Sequence, residues 1–134
     1  MERLLGSASG LIYGVMRIAV GLMFAQHGAQ KLFGLFGGVG QDGGSAPLMS
    51  MMGAAGVIEF FGGLLIALGL FGSLAAFISS GEMAVAYFMS HAPRGAIPIE
   101  NGGERAILFC FIFLFIASHG SGALSLDGLF RKSD

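Results

Sequence analysis

Long apolar segments alternate along the chain with short stretches of glycine, proline and polar residues. Four of these segments are long enough to be membrane-spanning helices, since about 20 mostly apolar residues cross a bilayer. They cover roughly residues 11–35, 48–70, 72–90 and 103–119. The pattern predicts an all-α, integral membrane four-helix bundle with antiparallel, up-down-up-down helices, in which residues 1–134 form a single domain.

The connections between the segments predict how the helices are arranged. The break at residues 69–73 holds two glycines and Ser73, which favours a tight hairpin with Ser73 as N-cap of the third helix. The connections at residues 37–47 and 92–102 are longer and more polar. If all four segments span, these two loops lie on one side of the membrane, and the hairpin and both termini lie on the other. The first segment carries Arg17 and lacks a small-x-small cleavage site, so we interpret it as a retained helix.

The composition indicates a membrane protein and excludes several other classes. Only 11% of the residues are charged and 54% are hydrophobic, with a mean hydropathy of +0.80. About a quarter of the residues in soluble domains are charged. The single cysteine, Cys110, excludes a disulfide-stabilised secreted domain. A net charge of −1 without any basic run predicts no nucleic-acid partner.

Basic and small residues extend the prediction to orientation and packing. The terminal side carries Arg3, Arg131 and Lys132, and the loop side carries Arg94, with Lys31 and Arg105 at its margin. The two sides are nearly balanced, and the comparison favours a cytoplasmic location for both termini. Small residues form one face of the third helix, and Glu82 lies on that face. The Phe-rich fourth helix indicates a surface for the lipid bilayer or for a partner, either another membrane subunit or a second copy of the chain.

Ionisable residues within the apolar segments are functional candidates, because charges inside a bilayer destabilise a protein unless they are paired or hydrated. They are Arg17, His27, Lys31, Glu59 and Glu82, with Arg105 near the start of the fourth helix. One interpretation is structural: Arg17 pairs with Glu59 or Glu82 and fixes the register of the bundle. Two acids exceed what one arginine neutralises, however, and this favours proton exchange at one of them.

The histidines differ in what their positions predict. His27 is the best single candidate for chemistry, because histidine titrates near neutral pH. The alternative is a core histidine bonded to a backbone carbonyl. His91 and His119 lie at predicted helix ends, where solvent at the membrane interface explains them. No spacing of histidine, cysteine and carboxylate residues predicts a zinc-type metal site.

Four motifs in order along the chain resemble those of a known family. They are Arg17, Gly21, Phe24, His27-Gly28 and Lys31-Leu32-Phe33-Gly34; then Glu59, Gly62-Gly63 and Gly69; then Glu100-Asn101-Gly102-Gly103-Glu104; and finally Gly120, Gly122 and Ser125-Leu126-Asp127. Together they resemble the DoxX family of small four-helix bacterial membrane proteins over roughly residues 13–129. The chain departs from that pattern at Leu124, where relatives often carry an aromatic residue, and in its glycine-rich first loop.

The resemblance implies a multi-pass protein of the bacterial plasma membrane. The related DoxD and DoxA subunits are associated with thiosulfate:quinone oxidoreductase activity, so quinone is the candidate cofactor that the resemblance suggests. The polar motif positions that it carries onto this chain are Arg17, His27, Lys31, Glu59, Glu104, Ser125 and Asp127.

Three functions remain open from the sequence. The first is a quinone-linked redox subunit, an oxidoreductase component with His27, Glu59 and Glu82 as catalytic residues. In this hypothesis the substrate-binding residues are Arg17, Lys31 and Arg105. The second is an accessory or scaffold subunit of a larger membrane complex, without catalysis of its own. The third is a small proton-coupled transporter, suggested by the charged groups near the membrane midplane.

Overall fold

The computed structural model describes residues 1–133, and every regular element within that range is helical. The all-α prediction is therefore confirmed. When their π-helical turns are counted, the four long helices begin and end within three residues of the predicted segments. In chain order the helices are α1 Glu2–Gly6, α2 Ser9–Phe33, α3 Met51–Val57, α4 Gly63–Leu68, α5 Gly72–Ala86, α6 Pro98–Asn101, α7 Glu104–His119 and α8 Leu126–Arg131.

Two of the long helices contain a π-helical turn that the hydrophobic pattern did not predict. The turn Ile58–Gly62 joins α3 to α4, so that one helix continues from Met51 to Leu68. The turn Tyr87–His91 extends α5 towards the second polar loop. A π-turn inserts an extra residue and rotates the side chains that follow it, and such turns are frequent at functional sites. Glu59 and His91 both lie within these turns.

The number of membrane crossings stays a prediction. Two helices, Ser9–Phe33 with 25 residues and Met51–Leu68 with 18, are long and apolar enough to cross a membrane. Helices α5 and α7 have 15 and 16 residues. At 1.5 Å per residue they are shorter than the hydrocarbon core, about 30 Å thick, although the second π-turn lengthens α5.

Helix α2 packs closely and antiparallel against the helix formed by α3 and α4. Gly21 of α2 lies against the backbone of Ala67, and Gly28, further along α2, lies against the backbone of Phe60. A Cβ atom at either glycine would collide with that backbone. Small residues permit such close helix contacts in lipid, where hydrophobicity alone does not hold helices together.

The core lies where α2, α4, α5 and α7 face one another. Phe24, Ile66, Phe113 and Ile116 are fully buried there, and the ring centroids of Phe24 and Phe113 are 4.7 Å apart. Helix α7 thus buries one side of its apolar surface. Its other side, which includes Phe111, is exposed and available to lipid or to a partner.

The tight hairpin between α4 and α5 is confirmed, but its predicted cap is wrong. Gly69 and Phe71 adopt left-handed conformations, with φ of 66° and 49°. Helix α5 begins at Gly72, so Ser73 lies inside the helix and is not its N-cap. The first backbone N–H groups are satisfied instead by the carboxylate of Asp127, from the distant helix α8. A local sequence pattern cannot show a cap that comes from so far along the chain.

Candidate functional site

Arg17 lies at the hairpin end of the molecule and is completely buried. Its guanidinium group donates hydrogen bonds to five backbone carbonyls at 2.5–3.0 Å: those of Ile66, Ala67, Ser121, Ala123 and Leu124. The predicted ion pair between Arg17 and Glu59 or Glu82 is wrong. The last carbonyls of a helix have no N–H partner within that helix. The five N–H donors of Arg17 bind two such carbonyls at the end of α4 and three carbonyls of the loop after α7.

Asp127 and Ser125 stabilise the same end of the molecule. The Asp127 carboxylate accepts hydrogen bonds from Phe71 N at 3.0 Å, Gly72 N at 3.2 Å and Ser121 Oγ at 2.6 Å. Partial burial of this carboxyl tends to raise its pKa, but these hydrogen bonds outweigh that effect and hold the pKa of Asp127 below its usual value of 3.8. The Ser125 hydroxyl caps α8 by accepting from Gly128 N at 3.1 Å.

The low pKa of Asp127 predicts a pH-dependent contribution to stability. The contribution is present above the ordinary pKa of about 3.8 and is lost as the pH falls through the lowered pKa of the folded state. We expect Asp127→Asn to lower the free energy of unfolding by about 1 kcal/mol at neutral pH, as for loss of a helix cap. Because protonated aspartic acid resembles asparagine, the difference should disappear in strong acid. Unfolding of both proteins in detergent over a pH series measures it, and a difference independent of pH would contradict this assignment.

At the opposite end, the polar-loop end, lies a cavity of about 700 Å³. Five of the six site residues expected from the sequence line it together: His27, Lys31, Glu59, Glu82 and Arg105. Arg17 does not line it, and its five guanidinium hydrogen bonds leave no N–H group free for a ligand. The remaining wall of the cavity is mostly apolar and comes from α2, α3, α5 and α7.

Lys31 and Glu59 form an ion pair at the inner wall of the cavity. Lys31 Nζ is 2.5 Å from both carboxylate oxygens of Glu59. Glu59 is only 2% exposed, whereas the Lys31 side chain is 21% exposed. The π-turn at Ile58–Gly62 carries Glu59, and α2 carries Lys31 directly opposite. The pair neutralises both charges, so neither group is free to act alone.

Glu82 is the second carboxyl group that lines the cavity, and it takes no part in the Lys31–Glu59 ion pair. Its Oε2 atom is buried and has no hydrogen-bond partner among residues 1–133. Ser79, three residues earlier on α5, has a buried hydroxyl in the same condition. Buried polar groups normally have partners. An unpaired carboxyl beside a cavity is therefore a group that a ligand or a proton can satisfy.

His27 lies on α2 one turn before Lys31 and is half-buried in the cavity wall. Its ring packs edge-on against Phe109, with centroids 6.1 Å apart. The alternative of a core histidine bonded to a backbone carbonyl is wrong, because no such hydrogen bond is found among residues 1–133 and the His27 ring packs against Phe109 instead. Both ring nitrogens remain available to a ligand or to water.

His91 also lines the cavity, and sequence reasoning missed it. Its Nδ1 atom is 3.1 Å from the carbonyl oxygen of Asn101, a residue that is itself 2% exposed. The Asn101 amide donates to Tyr87 Oη and to the carbonyl of Gly95, and so holds the second polar loop against the π-turn. With Nδ1–H donating to a carbonyl, Nε2 of His91 is the acceptor. The sequence did not predict His91 as a cavity residue, because solvent at a helix end was enough to explain a histidine there.

The polar positions implied by the family resemblance fall into two groups at opposite ends of the molecule. Arg17, Ser125 and Asp127 hold the hairpin end together. His27, Lys31 and Glu59 belong to the cavity. Glu104 is exposed at the start of α7 and does not line the cavity. Residues 1–133 contain no cluster of three or more histidine, cysteine or carboxylate groups suited to a metal ion.

These features define an all-helical membrane protein with ionisable groups gathered in one cavity. A DoxX family model matches residues 13–92, and the chain belongs to the DoxX family. The chain is also 44% identical over 124 residues to a protein of Haemophilus influenzae described as "Uncharacterized protein", a similarity that covers 87% of this chain and 89% of that relative. No solved structure matches the chain significantly.

Proposed function

We propose that this protein is a quinone-binding subunit of a membrane redox complex and that the cavity at the polar-loop end is its quinone site. The unpaired Glu82 carboxyl beside an apolar cavity wall is the observation that carries the proposal. A quinone is an apolar ring with two carbonyl oxygens, and it takes up two electrons and two protons on reduction. The cavity offers apolar contact for the ring and proton-carrying groups for its oxygens.

In this proposal each residue of the cavity has a distinct role. Glu82 and His27 bind the ring oxygens and deliver the two protons. The Lys31–Glu59 ion pair fixes the wall between α2 and the π-turn and keeps that wall neutral. Arg105, exposed at the mouth of the cavity, supplies positive charge near the ring. The two electrons come from a partner subunit that carries a redox cofactor.

The proposal includes the location and orientation of the protein in the membrane. The four long helices cross the bacterial plasma membrane, with the cavity on the polar-loop side and both termini in the cytoplasm. The exposed side of α7 contacts lipid and the partner subunit, or a second copy of the chain. Two apolar helices of spanning length and membership of the DoxX family support this arrangement.

We expect the purified wild-type chain to retain quinone, and Glu82→Leu and His27→Ala to retain it about tenfold less. Each substitution removes one hydrogen bond to a ring oxygen, and about 1.4 kcal/mol corresponds to a tenfold change in affinity. Quinone per chain is measured by solvent extraction and chromatography after purification in mild detergent, with and without added quinone. Glu104→Leu is the matched control, because it removes a carboxylate at the same end of the molecule but outside the cavity. It should retain quinone like the wild type.

The other two functions give different results in the same preparation. An accessory subunit would co-purify with other membrane chains and would bind no quinone even when quinone is added. A proton-coupled carrier would acidify liposomes in response to a solute gradient, and Glu82→Gln would abolish that flux. Either result, with no quinone retained by the wild type, would overturn the proposal.

A further inference from the structure

We propose that the ligand enters the cavity sideways from the lipid, through an opening between α3 and α5, and that it is a ring compound with a long apolar tail. We call this opening the portal and define it by Met51, Met52, Ile78, Gly81 and Val85. The inference rests on the proposed quinone site, and it adds the route of entry and the place where the tail lies.

The portal exists because α3 and α5 diverge. Helix α5 packs along α4 and along the π-turn Ile58–Gly62, whereas its contact with α3 is at most slight. Helix α3 remains packed against α2 instead. The helix that runs from Met51 to Leu68 therefore leaves α5 at the π-turn, and a gap opens from there towards the polar-loop end. The cavity occupies this gap, since residues of both α3 and α5 line it.

The residues at the rim of the portal are apolar and exposed. Met51, Met52, Ile78 and Val85 line the cavity and are also 49–65% exposed on the outside of the molecule. The wall between them is thus open towards the surface that would face lipid. The two carboxyl groups lie deeper: Glu59 is 2% exposed, and the Oε2 atom of Glu82 is buried. An apolar entrance that leads to a few polar groups matches a molecule whose ring carries polar oxygens and whose tail is apolar.

Gly81 lies on the α5 side of the portal, between Ile78 and Val85. It lies inside α5, lines the cavity and is exposed, and a Cβ atom there would meet no atom within 4 Å. The other helical glycines from α3 to α7 would each bring a Cβ atom against a neighbouring group. Glycine weakens a helix relative to alanine, and no protein contact accounts for Gly81. Its missing side chain leaves the space beside Glu82 open, where we place the first part of the tail.

Gly81→Phe tests the portal, because a Cβ atom at Gly81 meets open space and the phenyl ring beyond it would occupy the gap. The full chain is reconstituted in lipid nanodiscs, and the affinities of a polyprenyl quinone and of the same ring without a tail are measured. We expect the affinity for the tailed quinone to fall at least tenfold and the affinity for the tail-less ring to change less than twofold. Gly81→Ala and Gly10→Phe are the controls; Gly10 is another exposed helical glycine with no atom near its Cβ position. Both should bind the two ligands like the wild type.

The outcomes separate the two proposals. If Gly81→Phe binds both ligands as the wild type does, or loses both equally, the portal is wrong and the quinone site stands. If the wild type binds neither ligand, the quinone site is wrong, and the tailed ligand proposed here is wrong with it.

Cysteine labelling gives a second test that needs no bulky residue. In a Cys110→Ala background, Gly81→Cys should react with a membrane-soluble maleimide, and the tailed quinone should slow the reaction at least fivefold. The tail-less ring should not slow it. Equal protection by the two ligands would overturn the portal.

Discussion

Replacing Arg17 with methionine is expected to abolish folding of the protein. The substitution removes the donor of five carbonyls, of which that of Ile66 keeps a second one, the N–H of Gly69. The Arg17 side chain that satisfies them is completely buried. Each unsatisfied buried group costs about 1–3 kcal/mol, so the sum approaches the whole stability of a small protein, roughly 5–15 kcal/mol. Expression, and the fraction that is monodisperse on size exclusion in mild detergent, measure the effect.

Arg17→Lys distinguishes this structural role from a role in substrate binding. Lysine keeps the positive charge but concentrates its three donors at one point, and it cannot reach five carbonyls spread over two segments. We expect Arg17→Lys to be strongly destabilised as well. A lysine variant with normal stability and reduced ligand binding would contradict the structural role and restore Arg17 to the site.

Lys31→Met is expected to lower the free energy of unfolding by about 2–3 kcal/mol, because it leaves the buried Glu59 carboxylate unpaired. The expected effect is below that of a fully buried pair because the Lys31 side chain is 21% exposed. The double variant Lys31→Met/Glu59→Met should recover most of this loss, since an apolar pair of similar volume replaces a buried ion pair at little cost. Reversible unfolding in mixed micelles measures all the variants.

The double-mutant cycle is completed by Glu59→Met alone. A coupling energy of about 2 kcal/mol would confirm that the two residues act as a pair. Additive effects would show that Glu59 interacts mainly with other groups, with Glu82 the first candidate. Gln26 of α2 is exposed, so Gln26→Ala provides a neutral control.

The sequence predicted the cavity's residues better than it predicted their contacts. His27, Lys31, Glu59 and Glu82 stand out because charge is rare in apolar segments, and all four meet in one cavity. Their pairing was not predictable, since Arg17, Lys31, Glu59 and Glu82 balance in charge under several arrangements. Which acid pairs with which base depends on the groups that lie within hydrogen-bond distance. The loop after α7 brings three carbonyls to Arg17, so Arg17 binds these carbonyls and not a carboxylate.

The two π-turns are the clearest example of a feature that the sequence did not predict and the structure shows. The sequence around Glu59 and His91 is compatible with an ordinary α-helix, and a period of 3.6 residues describes it well. The insertion of one residue in a turn depends on the packing of neighbouring helices and not on local preference. It sets the face on which Glu59 lies and marks the point where α3 leaves α5.

The sequence by itself determined that this is a helical membrane protein, where its long helices lie, which family it belongs to and which charged residues are candidates. These properties follow from composition, hydrophobic periodicity and motif order, all of which are local in the chain. The tertiary structure alone decided that Arg17 binds carbonyls, that Lys31 neutralises Glu59, that Glu82 Oε2 has no partner among residues 1–133 and that His91 joins the cavity. Each of these depends on distances between segments remote in sequence, and such distances are fixed only when the helices pack.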